Sequence, residues 1–107
     1  DIAATRTPDL AIVDGIMGME GDGPLNGTPK PMGVLVMGSD LVAVDATCCR
    51  LMQLDPERVG YLVLGNRKKL GQLAAAQIQQ LGETIEGRAQ PFDTVPHFRA
   101  LWLGRPA

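Results

Sequence analysis

Between two apolar runs, Leu10-Ala11-Ile12-Val13 and Val34-Leu35-Val36-Met37, the chain carries the stretch Asp14-Gly15-Ile16-Met17-Gly18-Met19-Glu20-Gly21-Asp22-Gly23-Pro24-Leu25-Asn26-Gly27. It holds five glycines and three acids. Glycines let the backbone take a positive φ or approach another group closely. Three carboxylates in so short a stretch repel one another unless a cation or solvent lies among them. The apolar runs read as buried strands, and residues 15–32 read as a long loop between them. A loop beyond roughly 12–15 residues in a compact domain is usually functional or disordered. Ile16, Met17, Met19 and Leu25 argue against disorder, because they give the loop apolar side chains to pack down.

Gly33 to Met37 is almost wholly apolar, as in a strand covered on both faces. Gly38-Ser39-Asp40 then turns into a helix, with Ser39 or Asp40 as its N-cap. At about 100° per residue the helix from Leu41 to about Met52 gathers Leu41, Val44, Cys48, Leu51 and Met52 on one face, flanked by Val42 and Cys49. Asp45 falls inside that apolar arc. A carboxylate there is costly to bury unless it is paired or hydrogen-bonded. Asp45 therefore either binds a ligand or caps amides of a nearby loop. The cysteines read as small core residues.

Asp55-Pro56-Glu57 starts a second helix, with an Asp N-cap, Pro in the first turn and an acid beside it. It runs to about Lys69 and stops at Gly71. Arg67, Lys68 and Lys69 in its last turn answer the helix dipole. Gln77 to Leu81 reads as a third strand, with helix a competitor because of Ala74-Ala75-Ala76. Beyond Gly87 the chain reads as a tail anchored by Phe92, Phe98, Leu101 and Trp102. The whole is expected to be one domain over residues 1–107, or the C-terminal fragment of a larger one, with a core at 9–87 and a tail at 88–107.

Composition narrows the function classes. The net charge is −2 and aromatics make up 4% of the chain. A basic footprint for nucleic acid and a stacking platform for bases are both lacking. The acidity gathers in residues 1–50, where seven acids face three bases; residues 51–107 have five acids and seven bases. No long apolar span suits a membrane, and no segment reads as a signal peptide. Cys48 and Cys49 are adjacent and the chain has no other cysteine. That usage fits a reducing, cytoplasmic compartment better than a disulfide framework. No Cys-x-x-Cys is present and His97 is the single histidine, so no iron–sulfur ligands lie in this segment.

Three motifs together resemble a known family. They are Ile12-Val13-Asp14-Gly15-Ile16-x-Gly18-Met19-Glu20-Gly21-x-Gly23-Pro24-x-x-Gly27, then Gly38-Ser39-Asp40-x-x-Ala43-Val44-Asp45-Ala46, then Leu54-Asp55-Pro56. The chain is similar to the C-terminal part of the domain of unknown function numbered 362, over most of residues 9–87. The resemblance implies a piece of a longer, uncharacterised protein. Members are often linked to iron–sulfur proteins through cysteine motifs elsewhere in the chain. It carries attention to Asp14, Glu20, Gly21, Gly23, Pro24, Gly27, Asp40 and Asp45, and carries no catalytic assignment to any of them.

The expected architecture is α/β: a small, partly parallel sheet with helices packed on it and a long glycine-rich loop. In a parallel arrangement Asp14 and Asp40 share one rim beyond the strand ends, where ligands gather. Two functions follow. In one, Asp14, Glu20, Asp40 and Asp45, with amides of Gly21, Gly23 and Gly27, bind a polar ligand or a divalent cation such as Mg²⁺ or Ca²⁺. The domain is then a binding part of a larger iron–sulfur-linked redox protein. In the other, the acids satisfy the loop's own amides, and the chain is an interaction module that docks on an N-terminal segment, a partner domain or a second copy. The residues assign no reaction to either.

Overall fold

The computed structural model of the chain describes residues 2–104. In order it has a short helix α1 (Ile2–Thr5), strands β1 (Ala11–Asp22) and β2 (Asn26–Gly38), and helices α2 (Leu41–Leu51) and α3 (Gly60–Arg67). Single 3-10 segments lie at Pro56–Arg58, Ala75–Gln77 and Pro96–Leu101. The fold is mixed α and β.

The sheet corrects the expectation of partly parallel strands. β1 and β2 are the two strands of one antiparallel sheet, with Ala11 opposite Gly38, Val13 opposite Val36 and Asp22 opposite Asn26. The physical reason is the connection. Only Gly23, Pro24 and Leu25 join the strands. A parallel pair needs a crossover of a dozen or more residues, whereas antiparallel strands need only a hairpin turn. The expected loop at 15–32 is for the most part the upper half of this hairpin. Its glycines suit a strand that lies close to other groups. A Cβ built on Gly27 would meet the Met19 sulfur at 2.4 Å and the Gly23 Cα at 3.2 Å. One irregularity interrupts the ladder, a bulge between Gly15 and Met17. Such a bulge adds a residue on one side and increases local twist.

Helix α2 starts where the sequence places it. Asp40 is its N-cap, and its carboxylate accepts from the Ala43 N–H at 3.0 Å. The buried side differs from the expected arc. Val42, Val44, Ala46, Cys49 and Leu51 are the buried residues of α2. Val42, Ala46 and Cys49 pack with Leu62 of α3 and with Leu73, while Leu51 joins Met32 of β2 and Phe92. The helix is wedged between α3 on one side and the hairpin on the other. It therefore buries two flanks rather than one stripe, and Cys49 goes inward in place of Cys48.

The expected second helix is split. Asp55 accepts from the Glu57 N–H at 3.0 Å and Pro56–Arg58 makes a single 3-10 turn. The chain then restarts as α3 from Gly60. Val59, with φ −93° and ψ 107°, is extended between the two pieces. The expected third strand at 77–81 is not formed: Ala75–Gln77 is a 3-10 turn and residues 78–81 are irregular. The tail is part of the body. Gln90 N–H donates to Leu51 O, Asp55 N–H to Leu101 O, and Leu103 N–H to Gln53 O. Phe92 is buried, and the Trp102 indole Nε1 donates to its carbonyl at 3.1 Å. Of the expected tail anchors, Phe98 is 51% exposed, on the 3-10 segment Pro96–Leu101.

Candidate functional site

Asp14 is exposed on β1, directly opposite Leu35. Its Oδ1 accepts from the N–H of Ile16 at 3.1 Å, two residues on and at the bulge. The carboxylate thus satisfies an amide that the irregular ladder displaces. That is the local use of Asp in turns and bulges.

Glu20 lies six residues further along β1, roughly 20 Å away at the usual rise of a strand. It anchors the upper hairpin to the chain's last segment. Oε2 accepts from the Asp93 N–H at 2.8 Å and from the Lys30 ammonium at 3.1 Å. Lys30 also donates to the Pro91 carbonyl at 2.5 Å and lies 5.2 Å from the Phe92 ring centre. The hydrogen bond from Asp93, then Lys30, holds the Glu20 carboxyl below the usual carboxylate range. Gly21 continues the same tie. At φ +82° it adopts a conformation that favours glycine, and its N–H donates to Asp93 O at 2.8 Å.

Gly23 and Gly27 flank the turn. Their lack of a side chain admits Met19, whose sulfur would be 2.7 Å from a Cβ on Gly23. Both glycines are accounted for by packing of the hairpin on itself.

Asp40 uses both oxygens. Oδ1 caps α2, and Oδ2 accepts from the Gln72 N–H at 2.9 Å. Asp45 lies five residues on, about 140° around the helix and so on another side of it. Its negative charge raises the Cys48 and Cys49 thiols beyond what burial does and also raises the nearby Tyr61 hydroxyl. Burial is the larger cause in each, and Cys48 is pushed up to about 11. Such thiols stay protonated near neutrality and are poor nucleophiles.

The expected site residues are therefore not gathered at one rim. Asp14 is low on the outer hairpin, and Glu20, Gly21, Gly23 and Gly27 are near its tip. Asp40 is at the start of α2, and Asp45 is on the side of α2 toward Tyr61. Antiparallel pairing is the reason: it puts the end of β2 beside the start of β1, so the acids that follow the two apolar runs do not point from one edge. No group of three His, Cys, Asp or Glu residues suited to holding a metal ion occurs among the described residues. Sequence reasoning missed Lys30, Asp93 and Gln72, the partners of these acids. Lys30 was the one with a signal, as the single base between Arg6 and Arg50.

The surface carries a second feature. Ile12 and Met37 are directly opposite each other, as are Asp14 and Leu35, so all four share the outer face of the hairpin. Ile12, Leu35 and Met37 are 61%, 60% and 64% exposed. Leu10, before β1, and Ile16, at the bulge, are exposed to a similar degree. No helix among the described residues is long and apolar enough to cross a membrane.

Comparison with known proteins agrees with the motifs. The chain is 37% identical over 75 residues to a thylakoid-associated protein of Synechocystis sp. (strain ATCC 27184 / PCC 6803 / Kazusa). That match covers 70% of this chain and 23% of the cyanobacterial protein, so the chain spans about a quarter of the relative's length. No solved structure matches. Residues 1–50, which comprise the hairpin and nearly all of α2, match the model of the domain of unknown function DUF362. The family that these residues resemble is an uncharacterised one.

Proposed function

We propose that this chain is a structural and interaction module whose hairpin packs its open apolar face against a neighbouring domain of a larger protein. The observation that carries this reading is the cluster of Ile12, Leu35 and Met37 on one face, each about three-fifths exposed. Fully burying an aliphatic side chain of this size is worth about 1.5–3 kcal/mol. Contiguous exposed apolar patches of this kind commonly mark interaction sites. A lone two-stranded hairpin is marginal, and a longer sheet or a covering layer stabilises it. The relative's greater length supplies the kind of context in which such a layer occurs. The acids support the same reading, because Asp14, Glu20 and Asp40 each bind amides or a lysine of this chain. The adjacent, unbridged cysteines support assignment to a reducing, cytoplasmic compartment.

The test compares the chain with a Leu35→Lys, Met37→Lys double variant by ANS fluorescence and sedimentation. The expected result is strong dye binding by the parent chain and its loss in the variant, with the circular dichroism spectrum unchanged. Equal dye binding by both overturns the reading. Sedimentation as a dimer that the double variant abolishes would make a second copy the cover, in place of a neighbouring domain.

A further inference from the structure

The edge of β2 that faces away from β1 runs along a groove of about 590 Å³. One wall is β2 from Gly33 to Gly38, and the other is the irregular stretch Gln77–Ile85. Ala43, Thr47 and Leu51 of α2 contribute to the lining between them. A strand takes up about 4.8 Å across a sheet, about 10 Å through it and about 3.3 Å along it per residue. On those dimensions the groove is the space of roughly four residues of one strand. The sequence of β2 points the same way. Val34-Leu35-Val36-Met37 is an unbroken apolar run, the pattern of a strand flanked on both sides and covered on both faces. Yet β1 is the single strand neighbour of β2 among the described residues.

We infer that β2 is an inner strand in the working assembly, and that the groove takes one extended peptide strand hydrogen-bonded along Gly33–Gly38. The inference rests on the interaction-module reading and names the partner's form. The occupant is apolar on both faces. One set of its side chains lies over α2, and the other continues the outer face beside Leu35 and Met37. The charged residues on the lining, Asp40, Glu83 and Arg88, leave one net negative charge. A basic residue at the strand end nearest Asp40 complements it. Main-chain pairing gives such strand addition its affinity, and alternate side-chain pockets give its specificity.

The test uses the isotope-labelled 107-residue chain and a synthetic lysine-flanked peptide of alternating valine and isoleucine. A second peptide has the same sequence with its central amides N-methylated. Amide hydrogen exchange is followed across Gly33–Gly38. The expected result is at least tenfold slower exchange at alternate amides with the first peptide and no change with the second. Equal protection by both peptides overturns strand pairing while leaving the apolar-face reading intact. Protection by neither overturns the inference, and the dye-binding comparison above then decides the module reading on its own.

Discussion

Asp40 Oδ2 accepts a hydrogen bond from the backbone N–H of Gln72 at 2.9 Å, while its other oxygen caps α2. One carboxylate thus fastens the start of a helix to a segment that follows the next helix. Asp40→Ala removes both bonds. An N-cap is worth about 0.5–2 kcal/mol and a further hydrogen bond about 1 kcal/mol. The expected loss is about 2 kcal/mol, read as a lower urea midpoint with an unchanged slope. Asp40→Asn keeps one acceptor and should lose less.

Gly71 is the neighbour that makes this tie fit. A Cβ at Gly71 would lie 1.9 Å from Asp40 Oδ1 and 2.8 Å from Val42 Cβ. Gly71→Ala should therefore cost about 1–3 kcal/mol, as overpacking does. Part of that clash disappears when Asp40 is already alanine. The two substitutions should be less damaging together than their separate effects predict, a coupling that a double-mutant cycle by urea unfolding measures directly.

Glu20 gives the acid limb of stability. Its folded pKa is lowered by the Asp93 N–H first and Lys30 second. A carboxyl lowered on folding stabilises fully above its unfolded value near 4.5 and loses that contribution as pH falls through the folded value. Between pH 5 and pH 3 the parent chain should lose stability more steeply than Glu20→Gln. At pH 7 Glu20→Gln should be the less stable of the two. Parallel curves for both proteins would mean that the tie to Asp93 contributes nothing to folding.

The cysteines give the alkaline limb. Burial, then Asp45, pushes Cys48 up to about 11 from its ordinary 9.0. An acid raised on folding has no effect while both states keep the proton. Above pH 9 the unfolded chain ionises and the folded chain does not, so stability should fall from about pH 9 toward about pH 11. Cys48→Ala should flatten part of that decline. At pH 7.5 both thiols should react with a disulfide reagent far more slowly in the folded chain than in urea.

Divalent cations should leave the thermal midpoint where it is. Asp40 uses both oxygens on amides, Glu20 Oε2 already accepts from an amide and an ammonium, and Asp14 lies roughly 20 Å from Glu20 along β1. A cation that bound the folded state would raise the midpoint with its concentration. Such a rise with Mg²⁺, Ca²⁺ or Mn²⁺, lost in Asp45→Asn, would restore the acidic site.

What the sequence by itself determined was local. Asp40 before Leu41 and Asp55 before Pro56 announce helix starts, because an Asp side chain reaches the free amides of the next turn without help from the rest of the fold. The motifs around Gly21, Asp40 and Asp45 carry the resemblance to the family whose model matches residues 1–50, since they depend only on residue order. Tertiary structure decided the rest. The glycine stretch looked like a loop, because its strand character comes from pairing of Met17–Asp22 with Asn26–Pro31 rather than from propensity. The partners of the acids, Asp93 for Glu20 and Gln72 for Asp40, lie 73 and 32 residues away. No periodicity within β1 or α2 encodes contacts at such separations. They exist because the hairpin, α2 and the final segment pack together, and packing is set by the whole chain at once.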